Sequence, residues 1–194
     1  MRIAIIDYGA GNTQSVKYAL KRLGCEGILT SDKEVISNSD KVIFPGVGQA
    51  SSAMKKLQSE GLDLLIPNLK QPVLGICLGM QLMCNFSEEG NTECLKIFNS
   101  KVKKFDNSLK VPQIGWNTIF DLKTSLFNSI SEKEYMYLVH SYFVPVISET
   151  ISTTKYGIDY STAIKKNNFT GVQFHPEKSG GKGEIILKNF ITNP

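Results

Sequence analysis

The sequence predicts an α/β fold with a central mixed, mostly parallel sheet to which antiparallel strands are added. In the first half of the 194-residue chain, short apolar runs alternate with helical patterns. Such alternation is typical of parallel strands joined by right-handed crossovers. The second half holds many β-branched and aromatic segments separated by turn residues, which indicates antiparallel pairing.

Four short apolar runs of the first half predict buried parallel strands, at residues 3–6, 27–30, 41–44 and 73–76. Three helices are predicted between or after them. The first opens at Thr13 and stops at Gly24, and the others cover residues 50–60 and 78–86.

The second half contributes further predicted strands and one helix. The strand-like segments are residues 101–105, 116–120, 135–146, 150–156, 161–165 and 170–174. A hairpin turn is predicted at Gly157, and a last helix is predicted over residues 183–191. The chain shows no repeat, low-complexity tract or linker, so we expect a single domain spanning residues 1–194.

Composition excludes several function classes. The chain carries 22 Lys and Arg against 18 Asp and Glu, a mild excess of +4 that is spread along the sequence and does not favour nucleic-acid binding. The first apolar run is too short for a signal peptide, and no run approaches the roughly 20 apolar residues that span a membrane. We therefore expect a cytoplasmic protein that binds neither nucleic acid nor membrane.

The four cysteines show no C-x-x-C spacing, and the chain has only two histidines. We therefore expect free thiols, with no zinc site or disulfide framework. The Gly9–Gly11 turn lacks the third glycine of a dinucleotide-binding fingerprint, since Gln14 stands there. No cofactor or metal is expected.

Cys77 is the candidate nucleophile. It lies in Gly75-Ile76-Cys77-Leu78-Gly79, between an apolar strand and a predicted helix. Small residues two positions either side permit a tight strand-to-helix turn. The helix N-terminus would favour the thiolate, and the Leu78 N–H could stabilise an oxyanion. On this pentapeptide alone, a buried structural cysteine is an equally good interpretation.

His175 and Glu177 are the candidate partners of that cysteine. A thiolate mechanism needs an imidazole to move protons and a third group to orient the imidazole. Glu177 follows His175 by two residues, and Pro176 restricts the backbone between them. Together with the upstream cysteine, the pair indicates a Cys-His-Glu triad. His140, the other histidine, is expected to have a structural or substrate-lining role.

These segments resemble a known family. Gly-Ile-Cys-Leu-Gly-Met-Gln with a distant His-Pro-Glu is similar to the class I, or triad, glutamine amidotransferases, and the resemblance runs essentially end to end. Several further segments resemble the glutaminase subunits of imidazole glycerol phosphate synthases: residues 6–12, 45–48, 114–117, 140–142 and 175–180.

The resemblance implies a three-layer, flavodoxin-like amidotransferase fold and a site for glutamine. Cys77 would attack the side-chain carbonyl of glutamine, with His175 and Glu177 completing the triad. The remaining substrate-site residues implied by the resemblance are Gly46, Val47, Leu78, Gln81, Glu89, His140, Ser141 and Tyr142. The positions implied near the partner are Asn12, Trp116 and Lys178.

The resemblance also implies what the chain assembles with. A (βα)₈ barrel cyclase subunit would form a heterodimer with it and use the ammonia to make imidazole glycerol phosphate and AICAR in histidine biosynthesis. Gln113 and the Cys84-Asn85 pair depart from the family pattern, which leaves open a glutaminase that serves a different synthase, such as a sugar amidotransferase. A different Cys-elbow hydrolase is less favoured because such proteins lack the His-Pro-Glu pair after a late strand. A non-enzymatic regulatory module is less favoured because all three triad residues are present.

Overall fold

The computed structural model describes residues 1–9 and 11–193, so Ala10 of the predicted turn and Pro194 lie outside it. The α-helices of the described residues are α1 (Thr13–Arg22), α2 (Lys33–Ser37), α3 (Ala50–Ser59), α4 (Leu62–Leu65), α5 (Leu78–Leu82) and α6 (Gly180–Thr192). The strands are β1 (Ile3–Ile6), β2 (Gly27–Thr30), β3 (Lys41–Gly46), β4 (Val73–Cys77), β5 (Cys84–Ser87), β6 (Thr92–Glu93), β7 (Phe98–Lys104), β8 (Gln113–Ile119), β9 (Glu134–His140), β10 (Tyr142–Phe143), β11 (Thr150–Tyr156), β12 (Ile158–Lys166) and β13 (Phe169–Val172).

A seven-stranded sheet in the order β11-β12-β13-β4-β3-β1-β2 forms the centre of the fold. Strands β2, β1, β3, β4 and β13 pair in parallel, and β12 and β11 extend the sheet in antiparallel pairings. The predicted mixed, mostly parallel sheet is therefore confirmed. The hairpin between β11 and β12 turns at Gly157, whose φ of +71° suits glycine.

The sheet lies between two apolar layers. Alternate side chains of β1 point to opposite faces, with Ile3 and Ile5 on one and Ala4 and Ile6 on the other. Helices α3, α4 and α5 pack against the face of Ala4 and Ile6. Helices α1 and α6 and the hairpin β8–β9 cover the other face. This arrangement gives the three layers that the resemblance implied.

Two predictions, one about the strands of the second half and one about the helix that follows Cys77, need correction. Not all of its strands join the central sheet, because β10, β7, β5 and β6 form a four-stranded sheet and β8 pairs only with β9. The helix predicted over residues 78–86 ends at Leu82, and the chain continues directly into β5. The apolar residues of this segment fit a helix or a buried strand equally well, and the pairing of β5 with β7 makes it a strand.

Within residues 1–9 and 11–193, no helix is long and apolar enough to cross a membrane. The same residues contain no cluster of His, Cys, Asp and Glu side chains able to hold a metal ion. All four cysteines are free thiols, as predicted.

Candidate active site

Cys77 lies at a sharp turn between β4 and α5, at the carboxyl edge of the central sheet. Its φ of 54° and ψ of −109° place a non-glycine residue in a strained conformation. Such strain is typical of a nucleophile elbow, which lifts the side chain out of the strand and sets it at the start of a helix. The side chain is 6% exposed and lines a cavity.

Two glycines make this turn possible. A Cβ atom added to Gly79 would lie 1.9 Å from the carbonyl oxygen of Phe44, and one added to Gly75 would lie 2.9 Å from the backbone nitrogen of Met80. Both obstacles are backbone atoms, which cannot move aside as a flexible side chain can. The small residues of the pentapeptide are therefore required by close approach of helix α5 to strands β3 and β4.

His175 and Glu177 form a buried pair beside the cysteine. The Nδ1 of His175 lies 2.8 Å from Oε1 of Glu177, and both side chains are 1% exposed. Because an ionised carboxylate can only accept, Nδ1 carries the proton and Nε2 is left for Cys77. Among the described residues, Nε2 makes no hydrogen bond of normal geometry.

The electrostatics favour a charged imidazole. Burial opposes the imidazolium, but the interaction with the neighbouring Cys77 and the hydrogen bond and charge of Glu177 outweigh burial and raise the pKa of His175 to about 10. At neutral pH, His175 is therefore protonated and can act as a proton donor. That charge state suits a leaving group that must be protonated as it departs.

The backbone of β9 fixes the position of His175. The N–H of His175 donates to the carbonyl of Tyr137 at 2.9 Å, and the N–H of Tyr137 donates to Oγ of Ser179 at 3.0 Å. The Ser179 hydroxyl closes the ring by donating to the His175 carbonyl at 2.7 Å. These three bonds couple the outer hairpin directly to His175.

A cavity of about 240 Å³ opens over Cys77. The predicted residues that line it are Val47, Cys77, Leu78, Gln81, Glu89, His140, Ser141, Tyr142 and His175. Gly46 lies beside it, paired with Cys77 across β3 and β4, and Glu177 lies behind His175. The structure thus brings the predicted catalytic and substrate-site residues into one place.

Two ionisable side chains of this cavity have shifted pKa values. Burial raises the pKa of Glu89, and the hydrogen bond that its Oε2 accepts from the Ala50 N–H opposes that effect. Burial, assisted by the charge of His175, lowers the pKa of His140 to about 4 despite its hydrogen bond with the Tyr142 carbonyl. His140 is therefore neutral at pH 7, with Nδ1 donating to that carbonyl at 2.8 Å.

Sequence reasoning missed two residues near Cys77. Gln173 is fully buried, and its Nε2 donates to Sγ of Cys77 at 3.6 Å. Its position two residues before His175 could have indicated this, since alternate side chains of extended backbone share a side. The buried hydroxyl of Tyr8 lies beside Gly46 and, among the described residues, has no hydrogen-bond partner. Tyr8 lies in the segment 6–12 that carries the family resemblance, but that resemblance implied no role for it.

Two of the three predicted partner residues lie on the outer side of the hairpin β8–β9. Trp116 is 55% exposed and packs edge-on against Tyr137, with ring centroids 6.0 Å apart. Lys178 places its Nζ 5.9 Å from the same tyrosine ring. Asn12 lies elsewhere, at the start of α1, where it accepts a hydrogen bond from Ser15.

A second cavity, of about 410 Å³, opens at the opposite edge of the sheet. Residues at the starts of β4 and β13, including Pro72 and Asn168, line it together with the end of α6. None of the predicted site residues lies there. Because open α/β sheets bind ligands at the carboxyl ends of their strands, the smaller cavity over Cys77 is the better candidate despite its size.

Comparison with known proteins identifies the family to which the chain belongs. The family model for glutamine amidotransferase class-I matches residues 4–193. The chain is 56% identical over 194 residues to the imidazole glycerol phosphate synthase subunit HisH of Bacteroides fragilis strain YCH46, covering 98% of this chain and 99% of that protein. It is 48% identical over 193 residues to the protein of that name from Haemophilus influenzae strain Rd, covering 98% and 97%.

Solved structures share the fold at low sequence identity. The PurLQS structure from Thermotoga maritima matches with a TM-score of 0.75 at 17% identity, covering 98% of this chain and 97% of that chain. A glutamine amidotransferase from Thermotoga maritima matches with a TM-score of 0.65 at 18% identity, covering 98% and 80%.

Proposed function

Because the chain belongs to the class-I glutamine amidotransferase family, we propose that it is the glutaminase subunit of an imidazole glycerol phosphate synthase in histidine biosynthesis. It hydrolyses L-glutamine to glutamate and ammonia. The observation that carries this proposal is the buried His175–Glu177 pair beside an elbow cysteine, in a chain 56% identical to a subunit of that synthase. The relatives named as imidazole glycerol phosphate synthase subunits favour it over a sugar amidotransferase.

In the proposed mechanism, the Cys77 thiolate attacks Cδ of the glutamine side chain. The carbonyl π pair moves to oxygen, and the N–H of Leu78 and the loop at Gly46 and Val47 stabilise the resulting oxyanion. His175 gives its proton to the amide nitrogen, the C–N bond breaks and ammonia leaves a glutamyl thioester. Water then attacks the thioester as His175 takes a proton, and glutamate and the Cys77 thiolate are released.

Substrate recognition is assigned to the polar side of the cavity. The carboxylate of Glu89 is half-buried and lines the cavity, where an α-ammonium group would offset its desolvation. Gln81 is 3% exposed and adjoins it. The segment His140–Tyr142 forms the facing wall, so we assign these residues to holding glutamine above Cys77.

The ammonia is proposed to pass to a (βα)₈ barrel cyclase subunit that makes imidazole glycerol phosphate and AICAR, a lyase reaction carried out in the cytoplasm by a heterodimer. Ile114, Trp116 and Tyr135 are all more than half exposed on neighbouring strands of the outer hairpin. Apolar exposure of this kind supports a docking surface that includes Trp116 and Lys178, with Asn12 at its margin. No nucleic acid, membrane or cofactor enters the proposal, and residues 1–194 are taken to act as one domain.

Replacement of Cys77 by alanine tests the central proposal. The variant should lose glutamine hydrolysis and glutamine-dependent synthesis in the complex, yet retain synthesis when ammonium salt replaces glutamine. The matched control is Cys25→Ser, because Cys25 is a partly exposed free thiol that does not line the cavity. Glutamine hydrolysis by Cys77→Ala at the wild-type rate would rule out the thioester mechanism.

Replacement of Trp116 by alanine tests the docking surface. We expect affinity for the barrel subunit, measured by calorimetric titration, to fall by about tenfold or more, since large aromatic side chains often dominate interfaces. The thermal midpoint of the isolated chain should not change. Tyr18→Ala is the control, because Tyr18 is 61% exposed but lies on helix α1. Equal losses of affinity in both variants would contradict the assignment.

We also propose low glutaminase activity without the partner, because the loop at residues 45–48 would need the partner to present its oxyanion donor. Gly48, with φ of +97°, gives the loop a residue that can change conformation at little cost. Glutamine turnover should therefore rise when the barrel subunit is added. Full turnover by the isolated chain would contradict this part of the proposal.

A further inference from the structure

Three buried groups form a hydrogen-bonded chain that ends at the nucleophile. Gln81 Nε2 donates to the Tyr142 carbonyl and to Oε1 of Gln173, each at 2.8 Å. Gln173 Nε2 then donates to Sγ of Cys77 at 3.6 Å, a normal length for a bond to sulfur. Gln173 is 0% exposed and Gln81 is 3% exposed, so water does not compete for these bonds.

We infer that Gln173 is a positioning residue of the glutaminase reaction, whose amide N–H stabilises and aims the Cys77 thiolate. This inference rests on the proposed function for the identity of the reaction. It concerns a residue that belongs neither to the triad nor to the cavity lining.

Gln81 fixes which end of the Gln173 amide meets the sulfur. The Tyr142 carbonyl can only accept, so the group of Gln81 that faces it must be the NH₂. The same NH₂ faces Gln173, which must therefore present its oxygen there and its own NH₂ to Cys77. A reversed Gln173 amide would set two NH₂ groups against each other and an oxygen lone pair against the thiolate.

The backbone holds Gln173 in this place. Strand β13 pairs in parallel with β4, with Val172 opposite Ile76. Gln173 and Cys77 are the next residues after this pair, so they lie side by side. The N–H of Gln173 donates to the Thr162 carbonyl at 2.8 Å. Gln173 and His175 thus approach the sulfur from the same segment, one with a neutral donor and the other with a charged one.

The arrangement also determines how Gln81 can meet a substrate. Both protons of its NH₂ are used within the chain, so the group it has left is the carbonyl oxygen. An acceptor at that position selects a donor on the ligand, such as the α-ammonium of an amino acid. Binding of such a donor would polarise the Gln81 amide and strengthen its bond to Gln173.

The pH profile of Cys77 alkylation by iodoacetamide tests the inference without using glutamine. We would measure it in a Cys25→Ser background, since burial raises the pKa of Cys84 and of Cys94 and keeps both thiols unreactive. Gln173→Met keeps the length of the side chain and removes the donor. The midpoint of the profile should rise by about one pH unit, a tenfold loss of reactive thiolate below the midpoint.

Gln173→Glu provides the second variant. Its carboxylate still accepts from Gln81 but faces the sulfur with negative charge, so the midpoint should rise further than in Gln173→Met. The control is Gln71→Met, which makes the same substitution at a partly buried glutamine bonded to the Ile36 carbonyl, away from the site. Its profile should match that of the parent.

An unchanged midpoint in both Gln173 variants would overturn the inference, and so would an equal shift in Gln71→Met. A merely structural role for Gln173 would lower reactivity at every pH without moving the midpoint. Because alkylation requires no glutamine, a failure here leaves the proposed glutaminase function to be judged by Cys77→Ala. Conversely, a shifted midpoint would stand even if the substrate were not glutamine.

Discussion

His140 should make the protein sensitive to acid in a window that a surface histidine would not produce. Burial lowers its pKa from 6.5 to about 4 in the folded chain, whereas the unfolded chain titrates near 6.5. As the pH falls, His140 therefore takes up a proton in the unfolded chain before it does so in the folded chain. The stabilisation from His140 is fully present above pH 6.5 and is lost as the pH falls towards 4.

The magnitude follows from the size of this shift. Each pH unit below 6.5 lowers the free energy of unfolding by about 1.4 kcal/mol until the folded protein begins to protonate. Between pH 8 and pH 4.5, His140 alone should therefore remove about 2.5 kcal/mol of stability. That is a large fraction of the 5–15 kcal/mol roughly expected for a domain.

Urea unfolding of wild type and His140→Gln at pH 8 and pH 4.5 measures this contribution. Glutamine does not titrate, so the variant should lose about 2.5 kcal/mol less than wild type over the same interval. Taking the difference removes the contribution of carboxylates, which also titrate in acid. If both proteins lost the same free energy between the two pH values, the neutral, buried state of His140 would be refuted.

The remaining predictions concern the elbow, the buried tyrosine and the triad. Gly79→Ala should lower the free energy of unfolding by about 3 kcal/mol or more, because its Cβ would meet the Phe44 carbonyl oxygen at 1.9 Å. Gly181→Ala is the control: a Cβ there has nothing within 4 Å, so this variant should be neutral or slightly stabilising. Tolerance of Gly79→Ala in a denaturant titration would contradict the close approach. Tyr8→Phe should raise the thermal midpoint of unfolding, because it removes a buried hydroxyl that has no hydrogen-bond partner among the described residues. Burying such a hydroxyl without a partner destabilises the fold by about 1–3 kcal/mol. A lower midpoint would show that the hydroxyl is hydrogen-bonded. Glu177→Gln should retain the fold but reduce kcat on the order of 10²–10⁴-fold, because the charge that helps to hold the His175 imidazolium is lost; kinetics at wild-type level would exclude an orienting role.

The sequence predicted the parallel part of the fold well because its signals are local. Runs such as residues 3–6 are apolar at every position, as strands buried on both faces must be. Where partners decide the structure, the prediction was weaker. Met83 and Cys84 continue the apolar character of α5 into the strand β5, and only the pairing of β5 with β7 distinguishes the two elements.

The candidate site was predictable in the same uneven way. Cys77 could be found because its turn requires glycines, and His175 and Glu177 because they share a short motif. Gln173 was missed, since a glutamine has no characteristic spacing and its role depends on the amide of Gln81. Tyr8 was missed because only the folded chain brings its hydroxyl beside Gly46.

Strand β9 limits how this protein can be redesigned. The ring of Tyr137 lies close to both Trp116 and Lys178 on the outer side, while its carbonyl accepts a hydrogen bond from the N–H of His175. A mutation at the proposed docking surface, selected to fit a new partner, would also disturb the backbone group that positions His175, the proposed catalytic histidine. Variant libraries that change this surface to alter partner specificity should therefore be screened for glutamine turnover in every round of selection. Selection for affinity alone would change catalysis at the same time.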